Sequence, residues 1–182
     1  VEVYPNDSLG REIDLINGMQ LGTVEMTITG ESLQNWAPMA SLLALPYAYQ
    51  TLEEMDAVAS GEIGDQIEAQ IVERAQVRPL AYFARGPRNL TANRAITTPD
   101  ELQRMRMRVP NVPLFVDTWT ALGALPTPMA FSEVFTSLQN STIAGQENPL
   151  ALIQTASFNE VQSHVNTVSY THLRAHETRH DL

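Results

Sequence analysis

The sequence predicts an α/β fold in which short strands alternate with helices. Two observations carry this prediction. Apolar residues recur at helical spacing in several separate stretches, and between these lie short alternating or continuous apolar runs that are typical of strands. Such an order favours a sheet with parallel strand pairing. With 182 residues, 43% of them hydrophobic and 18% charged, the chain is long enough to bury a core and does not resemble a disordered segment.

The first half of the chain supplies the elements in that order. Residues 1–4 alternate as a strand does, residues 9–19 follow a helix pattern, and residues 24–28 alternate again. A continuous apolar run at residues 81–84 predicts a buried strand. The two helix patterns that precede this strand contain Leu52, Met55, Val58, Ile67, Ile71 and Val72.

The second half contains clear helix starts. Thr98, Pro99 and Glu101 have the residue types of a capped helix N-terminus. Ser132 is predicted to cap a later helix, and Pro149 is predicted to open another. The remaining helix of this half contains Leu114, Phe115, Trp119 and Leu122 and ends at Gly123.

Residues 104–109 alternate between arginine and apolar residues. This alternation predicts a strand that presents three arginines on one face. Arg108 stands at the carboxyl end of the strand, just before Pro110. Ligands of open α/β sheets bind outside the carboxyl ends of the strands, and a guanidinium can hold a carboxylate through two hydrogen bonds. Arg108 is therefore a candidate ligand residue, although the pattern is equally compatible with a surface charge.

Charge is distributed unevenly along the chain. All 11 basic residues are arginines, and 21 acidic residues give a net charge of −10. Residues 1–84 are strongly acidic, whereas residues 85–108 contain six of the arginines and only two acids. The acidic balance argues against binding to nucleic acid or to an anionic membrane surface. The arginine-rich window indicates either a solvated face that pairs with the acidic remainder or a site for a small anion.

Few residues are arranged for catalysis or metal binding. Cysteine is absent, and no dinucleotide, phosphate-loop, zinc-protease or serine-hydrolase motif occurs. His164 stands alone, while His172, His176 and His180 have the spacing of one helix face. No apolar run approaches the ~20 residues that a membrane-spanning helix needs, and the first residues lack a signal-peptide pattern. We therefore expect no catalytic residue, metal or cofactor, and no membrane insertion.

Four motifs occur in order along the chain. They are Arg108-Val109-Pro110-Asn111, the run from Ala121 to Val134, Gly145-Gln146-Glu147-Asn148-Pro149-Leu150 and Phe158-Asn159-Glu160-Val161-Gln162. Together they resemble the substrate-binding subunits of tripartite ATP-independent periplasmic (TRAP) transporters, a family that captures C4-dicarboxylates, sialic acid and sugar acids. The resemblance covers residues 1–168.

The resemblance implies a ligand site of five residues. Arg108 matches the arginine that pairs with the substrate carboxylate, and Arg88 matches a second arginine that contacts the ligand in sialic-acid binders. Asn148 matches an asparagine that hydrogen-bonds the ligand. Phe131 matches an aromatic residue that packs over the ligand, and Glu31 matches an acid that receives ligand hydroxyl or amide groups. The two last residues have structural alternatives, since Phe131 could be a core residue and Glu31 a helix-terminus acid.

The resemblance also implies a two-lobed periplasmic solute-binding-protein fold, here truncated at both ends. We place lobe I at residues 1–85 and lobe II at residues 86–168, with the hinge near residues 84–86. Residues 169–182 are unlike the family and resemble translated sequencing-adapter read-through, so we expect a non-native tail and assign its histidines no role. We also expect the exported signal of the family to be missing from this fragment.

The implied function is capture of an organic acid, a C4-dicarboxylate or a sugar acid, in the periplasm. The ligand would then pass to the TRAP membrane subunits for import. Two alternatives stay open. The truncated chain could be inactive, or it could be an α/β enzyme acting on a small carboxylate, for which only Glu31 and Glu133 are candidate general bases near Arg108.

Overall fold

A computed structural model of the chain describes residues 2–5, 7–167 and 172–179. The six α-helices of this part are α1 (Glu12–Gln20), α2 (Leu52–Ala59), α3 (Glu62–Ala75), α4 (Pro113–Ala121), α5 (Val134–Gln139) and α6 (Leu150–Thr155). The strands are β1 (Met26–Thr29), β2 (Arg78–Ala92), β3 (Arg106–Val109), β4 (Leu125–Pro128), β5 (Gly145–Pro149), β6 (His164–Asn166) and β7 (His172–Arg179). Short 3-10 helices lie at Glu31–Asn35, Pro38–Ala44, Pro99–Leu102, Phe131–Glu133 and Phe158–Glu160. The predicted α/β class is confirmed.

The strands form one mixed sheet with the order β1-β7-β2-β5-β3-β4, and β6 pairs with β2 beside this path. Only β3 runs parallel to its neighbours, β4 and β5. The other pairs, which all involve β2 or β7, are antiparallel. The predicted parallel pairing is therefore correct for β3 and wrong for the long strand β2. The helices do not alternate strictly with the strands, so several partners of β2 come from distant parts of the chain.

The long strand β2 connects two parts of the sheet. Its first ten residues pair with β7, and its last five pair with β5 and partly with β6. The pairing with β7 is irregular between Ala84 and Gly86, where Gly86 adopts a φ of +77° that glycine tolerates best. This irregularity lies at the predicted hinge, residues 84–86. The division into lobes at residues 85 and 86 stays a prediction, and β2 runs through it without a break.

Buried apolar residues gather into three clusters. One is built on α1 and α3 with the 3-10 helices between them, and its fully buried members include Ile16, Met19, Ile67 and Ile71. A second lies around β3 and α4, with Met107, Phe115 and Trp119 at its centre. A third joins α5 and α6 through Val134, Ile153 and Phe158. β3 contributes Met107 and Val109 to the second cluster, and the 3-10 helix Glu31–Asn35 contributes Leu33 to the first, so the polar residues on these elements lie beside packed apolar cores.

Strand β5 lies close to both of its neighbours because it begins with glycine. A Cβ atom on Gly145 would lie 2.5 Å from the Thr91 carbonyl oxygen and 2.6 Å from Cε of Met105. A Cβ atom does not approach a carbonyl oxygen this closely in real proteins, so only glycine permits this arrangement. The close packing fixes the position of the residues that follow, Gln146, Glu147 and Asn148, all of which are buried.

Several details differ from the sequence expectations. Residues 2–5 form no strand, because Val3 and Tyr4 have no strand partner among the described residues and remain exposed. The strand at residues 81–84 exists but is not fully buried, since Phe83 is 42% exposed while Tyr82 packs on the first cluster. One face of this part of β2 is covered and the other is not, as is common in antiparallel sheets.

Two of the three helix starts predicted in the second half of the chain differ in the structure. The capping box at Thr98 and Glu101 is present, but it opens only a single 3-10 turn. Ser132 does not cap α5; it lies inside a 3-10 turn whose entry is held by a hydrogen bond from the Ala130 N–H to the Glu133 carboxylate, 3.3 Å. Pro149 precedes α6 as predicted.

The carboxyl end of the chain is described only in part. Residues 172–179 form β7, a strand, so His172 and His176 do not lie on a helix face. His180 and the remaining residues of the predicted tail, 169–171 and 181–182, lie outside the described part of the chain.

None of the helices in the described ranges is long and apolar enough to cross a membrane.

Candidate functional site

A buried ion pair joins β2 to β5. Arg88 and Glu147 are 1% and 0% exposed, and the guanidinium contacts both carboxylate oxygens. One of these contacts, from Nη2 to Oε1, measures 2.8 Å. Nη2 also donates to the Glu147 carbonyl oxygen at 2.8 Å and to Oδ1 of Asn148 at 3.3 Å. The register places Leu90 opposite Glu147, and therefore brings Arg88 to the end of β5 where these acceptors lie. The predicted residues Arg88 and Asn148 are thus in contact.

Glu31 reaches the same guanidinium from the other side. It is the first residue of a 3-10 helix, and its Oε1 lies 2.7 Å from Nη1 of Arg88. Its side chain is only 9% exposed. The structural alternative for Glu31, an acid at a helix terminus, is correct as a description of its position, but the carboxylate also pairs with Arg88 across 57 residues of sequence.

The charge of Glu31 is stabilised by arginines. Burial by itself raises the pKa of Glu31, but the positive charges of Arg88, Arg85 and Arg108 outweigh this effect, and the pKa lies below 4.5. Glu31 therefore stays ionised at neutral pH. An ionised, ion-paired carboxylate is a poor general base, because its low pKa leaves little tendency to take up a proton.

This shift predicts an acid-sensitive contribution to stability. Because the pKa of Glu31 is lower in the folded chain, its contribution is complete above pH ~4.5 and is lost as the pH falls through the lowered pKa. In urea unfolding, the free-energy difference between the wild type and Glu31→Gln should be constant from about pH 7 to 5.5 and shrink below about pH 4.5. Glu25→Gln, which changes an exposed acid, is the matched control. A difference that grows on acidification would contradict the assignment.

Arg108 lies at the carboxyl end of β3, as predicted, and is 4% exposed. Its Nε and Nη2 donate to the Met129 carbonyl oxygen at 3.2 and 2.9 Å, and its guanidinium lies 5.9 Å from the Phe131 ring centre. Within the described part of the chain, no acidic side chain forms an ion pair with Arg108. Burial is the largest effect on the group and lowers the pKa of Arg108 to about 10, so it remains charged at neutral pH.

The three arginines of residues 104–108 do not share one environment. Arg104 precedes β3 in a left-handed conformation, with a φ of +60°. Arg106 is exposed and donates to the Ser141 carbonyl oxygen at 2.9 Å. Arg108 alone is buried, because Met129 and Phe131 cover the end of the strand. The predicted arginine face is therefore correct for Arg106 and Arg108, which lie two residues apart on β3, and wrong for Arg104, which precedes the strand.

Phe131 and Asn148 complete the set of predicted residues. Phe131 is 40% exposed and packs against Phe158 with ring centres 5.7 Å apart, so it is not a fully buried core residue. Asn148 donates through Nδ2 to Gln146 at 2.7 Å. Gln146 in turn donates to the Thr91 hydroxyl at 2.9 Å, which extends the buried polar chain along β5 and β2.

The sequence reasoning missed Glu147 and Phe115. Glu147 is the main partner of Arg88, and the Phe115 ring lies 5.1 Å from the Arg88 guanidinium. A signal for Glu147 was available, because the run from Gly145 to Pro149 places three polar residues between apolar segments. A strand of this kind inside a fold requires charged or amide partners, and an arginine is the strongest candidate for a buried acid. Phe115 had no comparable signal.

The alternative general bases are both engaged. Glu31 is paired with Arg88, and Glu133 pairs with Arg11 at an exposed position. Both ion pairs connect the predicted lobe I with the predicted lobe II. A hydrogen bond of 3.2 Å from Asn35 to the Asn111 carbonyl oxygen also connects them. The arrangement suits binding of an anion beside Arg108 more than acid–base chemistry.

Comparison with known proteins gives consistent matches. A family model for bacterial extracellular solute-binding proteins, family 7, matches residues 1–176. A solute-binding protein of Roseobacter denitrificans is 76% identical over 170 residues, which are 93% of this chain and 52% of that protein. The chain thus spans about half the length of the curated relatives it matches.

Two solved structures show the same fold. The crystal structure of a TRAP periplasmic solute-binding protein from Roseobacter denitrificans, with bound L-galactonate, has a TM-score of 0.97 at 72% identity and covers 99% of this chain and 60% of that one. The corresponding structure from Haemophilus influenzae, with bound L-gulonate, has a TM-score of 0.91 at 34% identity and covers 97% of this chain and 58% of that one.

Proposed function

Because the chain belongs to bacterial extracellular solute-binding protein family 7, whose solved relatives are TRAP periplasmic solute-binding proteins, we propose that it captures an organic acid and delivers it to a TRAP transporter. The single observation that carries the proposal is Arg108. It is a buried, charged guanidinium whose only hydrogen-bond partner among the described residues is the Met129 carbonyl oxygen. A buried cation of this kind strongly favours binding of a ligand carboxylate. It rejects neutral analogues, because they would leave its charge unpaired.

The ligand that we propose is a sugar acid. The relatives from Roseobacter denitrificans and Haemophilus influenzae were solved with L-galactonate and L-gulonate, which are both six-carbon acids with one carboxylate and five hydroxyls. Arg108 would hold the carboxylate, Glu31 and Asn148 would bind hydroxyls, and Phe131 would cover the carbon chain. Arg88 would act mainly by holding Glu31, Glu147 and Asn148 in place, since its guanidinium already contacts all three.

The cellular setting follows from the family. Relatives carry names such as C4-dicarboxylate-binding and sialic acid-binding periplasmic protein. We propose the periplasm as the location and the TRAP membrane subunits as the partner that receives the ligand. Closure of residues 1–85 against residues 86–168 would enclose the ligand between Glu31 and Arg108, and the binding free energy would favour the closed form.

The alternatives make different predictions. An enzyme acting on a small carboxylate needs a base that can accept a proton, and both candidate bases are ion-paired. An inactive fragment would bind nothing, and this alternative is relevant because the chain covers 52% of its Roseobacter relative. The relatives that it matches are solute-binding proteins rather than enzymes, so binding is the better proposal.

The proposal is tested by calorimetry with L-galactonate. Titrations use the 182-residue chain and the same residues completed to the length of the Roseobacter relative, called here the completed protein. We expect one molecule of ligand per completed protein, and mass spectrometry should recover the acid unchanged. A neutral analogue, galactitol, is the control and should not bind. Conversion of the acid would favour the enzyme, and absence of binding by the completed protein would refute the proposal.

A further inference from the structure

The guanidinium of Arg88 is enclosed by acceptors from the protein itself. Nε and Nη2 face Glu147 and Asn148 of β5. Nη1 is the edge directed toward the predicted lobe I, and Glu31 contacts it at 2.7 Å. Two carboxylates therefore pair with one arginine. A ligand carboxylate can approach Arg88 only if it replaces one of them, and Glu147 is fully buried and held by several contacts.

We propose that Glu31 restricts the site to ligands with a single carboxylate, by occupying the edge of Arg88 that would otherwise bind a second one. This inference rests on the proposed function, since it assumes that Arg108 holds the first ligand carboxylate. It assigns Glu31 a role in specificity through exclusion, in addition to contacts with ligand hydroxyls. Glu31 is suited to this role because it is the least buried member of the Arg88 cluster, at 9% exposure against 1% for Arg88 and 0% for Glu147.

The charge balance supports the same conclusion. The charged groups that act on Glu31 and Arg108 are Arg85, Arg88 and Arg108 on one side and Glu12, Glu31 and Glu147 on the other. Among these six groups the charges balance before a ligand binds, with three arginines against three acids. One ligand carboxylate on Arg108 gives it a single excess negative charge, whereas a second would add another beside Glu31 in a poorly solvated site, where repulsion between like charges is strong.

A hydroxyl group at the far end of the ligand meets no such barrier. Oε1 of Glu31 accepts from Arg88, the backbone N–H of Glu31 also acts on the carboxylate, and within residues 7–167 no other side chain donates to its second oxygen, Oε2. That oxygen can accept a hydrogen bond from a ligand hydroxyl while Glu31 stays paired with Arg88. The site therefore favours an acid whose chain ends in CH₂OH over one whose chain ends in a carboxylate.

A matched pair of ligands isolates this feature. L-galactonate and galactarate share the same six-carbon skeleton, and galactarate differs by oxidation of the terminal CH₂OH to a second carboxylate. We expect the completed protein to bind galactonate at least about 100-fold more tightly than galactarate in calorimetry at pH 7. In Glu31→Gln, which keeps the shape and an acceptor but removes the charge, this ratio should fall by at least about tenfold.

Two further variants separate contact from general charge and from loss of folding. Glu31→Asp keeps the carboxylate and should keep the preference. Glu12→Gln removes a negative charge from the same neighbourhood without touching Arg88, since Glu12 accepts from Thr29 and Gly30, and should change the ratio less than about threefold. Equal affinity of the wild type for both acids, an unchanged ratio in Glu31→Gln, or loss of the preference in Glu31→Asp would each overturn the inference. Failure to bind galactonate at all would instead refute the proposed function.

Discussion

Replacement of Arg108 by methionine should abolish sugar-acid binding and make the unliganded protein more stable. Binding is lost because the two charge-assisted hydrogen bonds that the guanidinium can offer a carboxylate contribute about 1.5–3 kcal/mol each, or roughly 100-fold or more in affinity. Stability rises because burial is the largest effect on this group and lowers its pKa to about 10, which means that the charged form is disfavoured in the folded protein. Methionine fills a similar volume beside Phe131 without a charge.

The measurement combines calorimetry with urea unfolding at pH 7, and Arg108→Ala should lose binding as well while the chain still folds. Arg106→Met is the matched control, because it changes an exposed arginine two residues away on the same strand. The control should bind galactonate as the wild type does. Unchanged affinity in Arg108→Met would refute the assignment of the ligand carboxylate to Arg108.

Replacement of Arg88 by methionine should have the opposite effect on stability. It leaves Glu147 fully buried without its cation, and it removes the ion pair of Glu31. Breaking a buried ion pair by removing one partner costs about 3–5 kcal/mol. Urea unfolding of the variant at pH 7 should show a loss of this size. It should also show recovery toward the wild type as the pH falls, because an unpaired buried carboxyl has a raised pKa and its protonation relieves the penalty.

A double variant, Arg88→Met with Glu147→Gln, provides the control. It removes both charges of the pair, so most of the lost stability should return at neutral pH. If the double variant is as unstable as the single one, the loss comes from packing of Arg88 against Phe115 rather than from the unpaired charge.

The sequence predicted element types better than strand partners. The helices α1 to α4 and the strand β3, which contains Arg108, were visible in local apolar spacing, because each buries one face against a core. The antiparallel pairing of β2 with β5 and β7 was not visible, since it depends on residues about 50 to 100 positions away. The exposure of Phe83, which the sequence predicted to be buried, has the same cause. Which face of β2 is covered depends on the complete sheet and not on the local sequence.

The candidate site divides in a similar way. Arg108 could be selected from the residues themselves, because its position at a strand end before proline is a local feature. Glu31, Arg88, Asn148 and Phe131 required the family resemblance. The contact between Arg88 and Glu147 came only from the structure, since the ion pair depends on the register of two strands and on the close approach at Gly145. The sequence pattern shows that a buried acid needs a partner but does not say which arginine it is.

The register of β2 and β5 also has a consequence for the order in which the protein folds. Arg88 lies 57 residues after Glu31 and 59 residues before Glu147. During synthesis the first two residues leave the ribosome before the third, and β2 cannot desolvate Arg88 until β5 supplies the second carboxylate. We therefore expect this part of β2 to stay solvated until β5 pairs with it. We expect the proposed binding site to form in the same step that closes the middle of the sheet, so that a misplaced β5 would lower both stability and ligand binding.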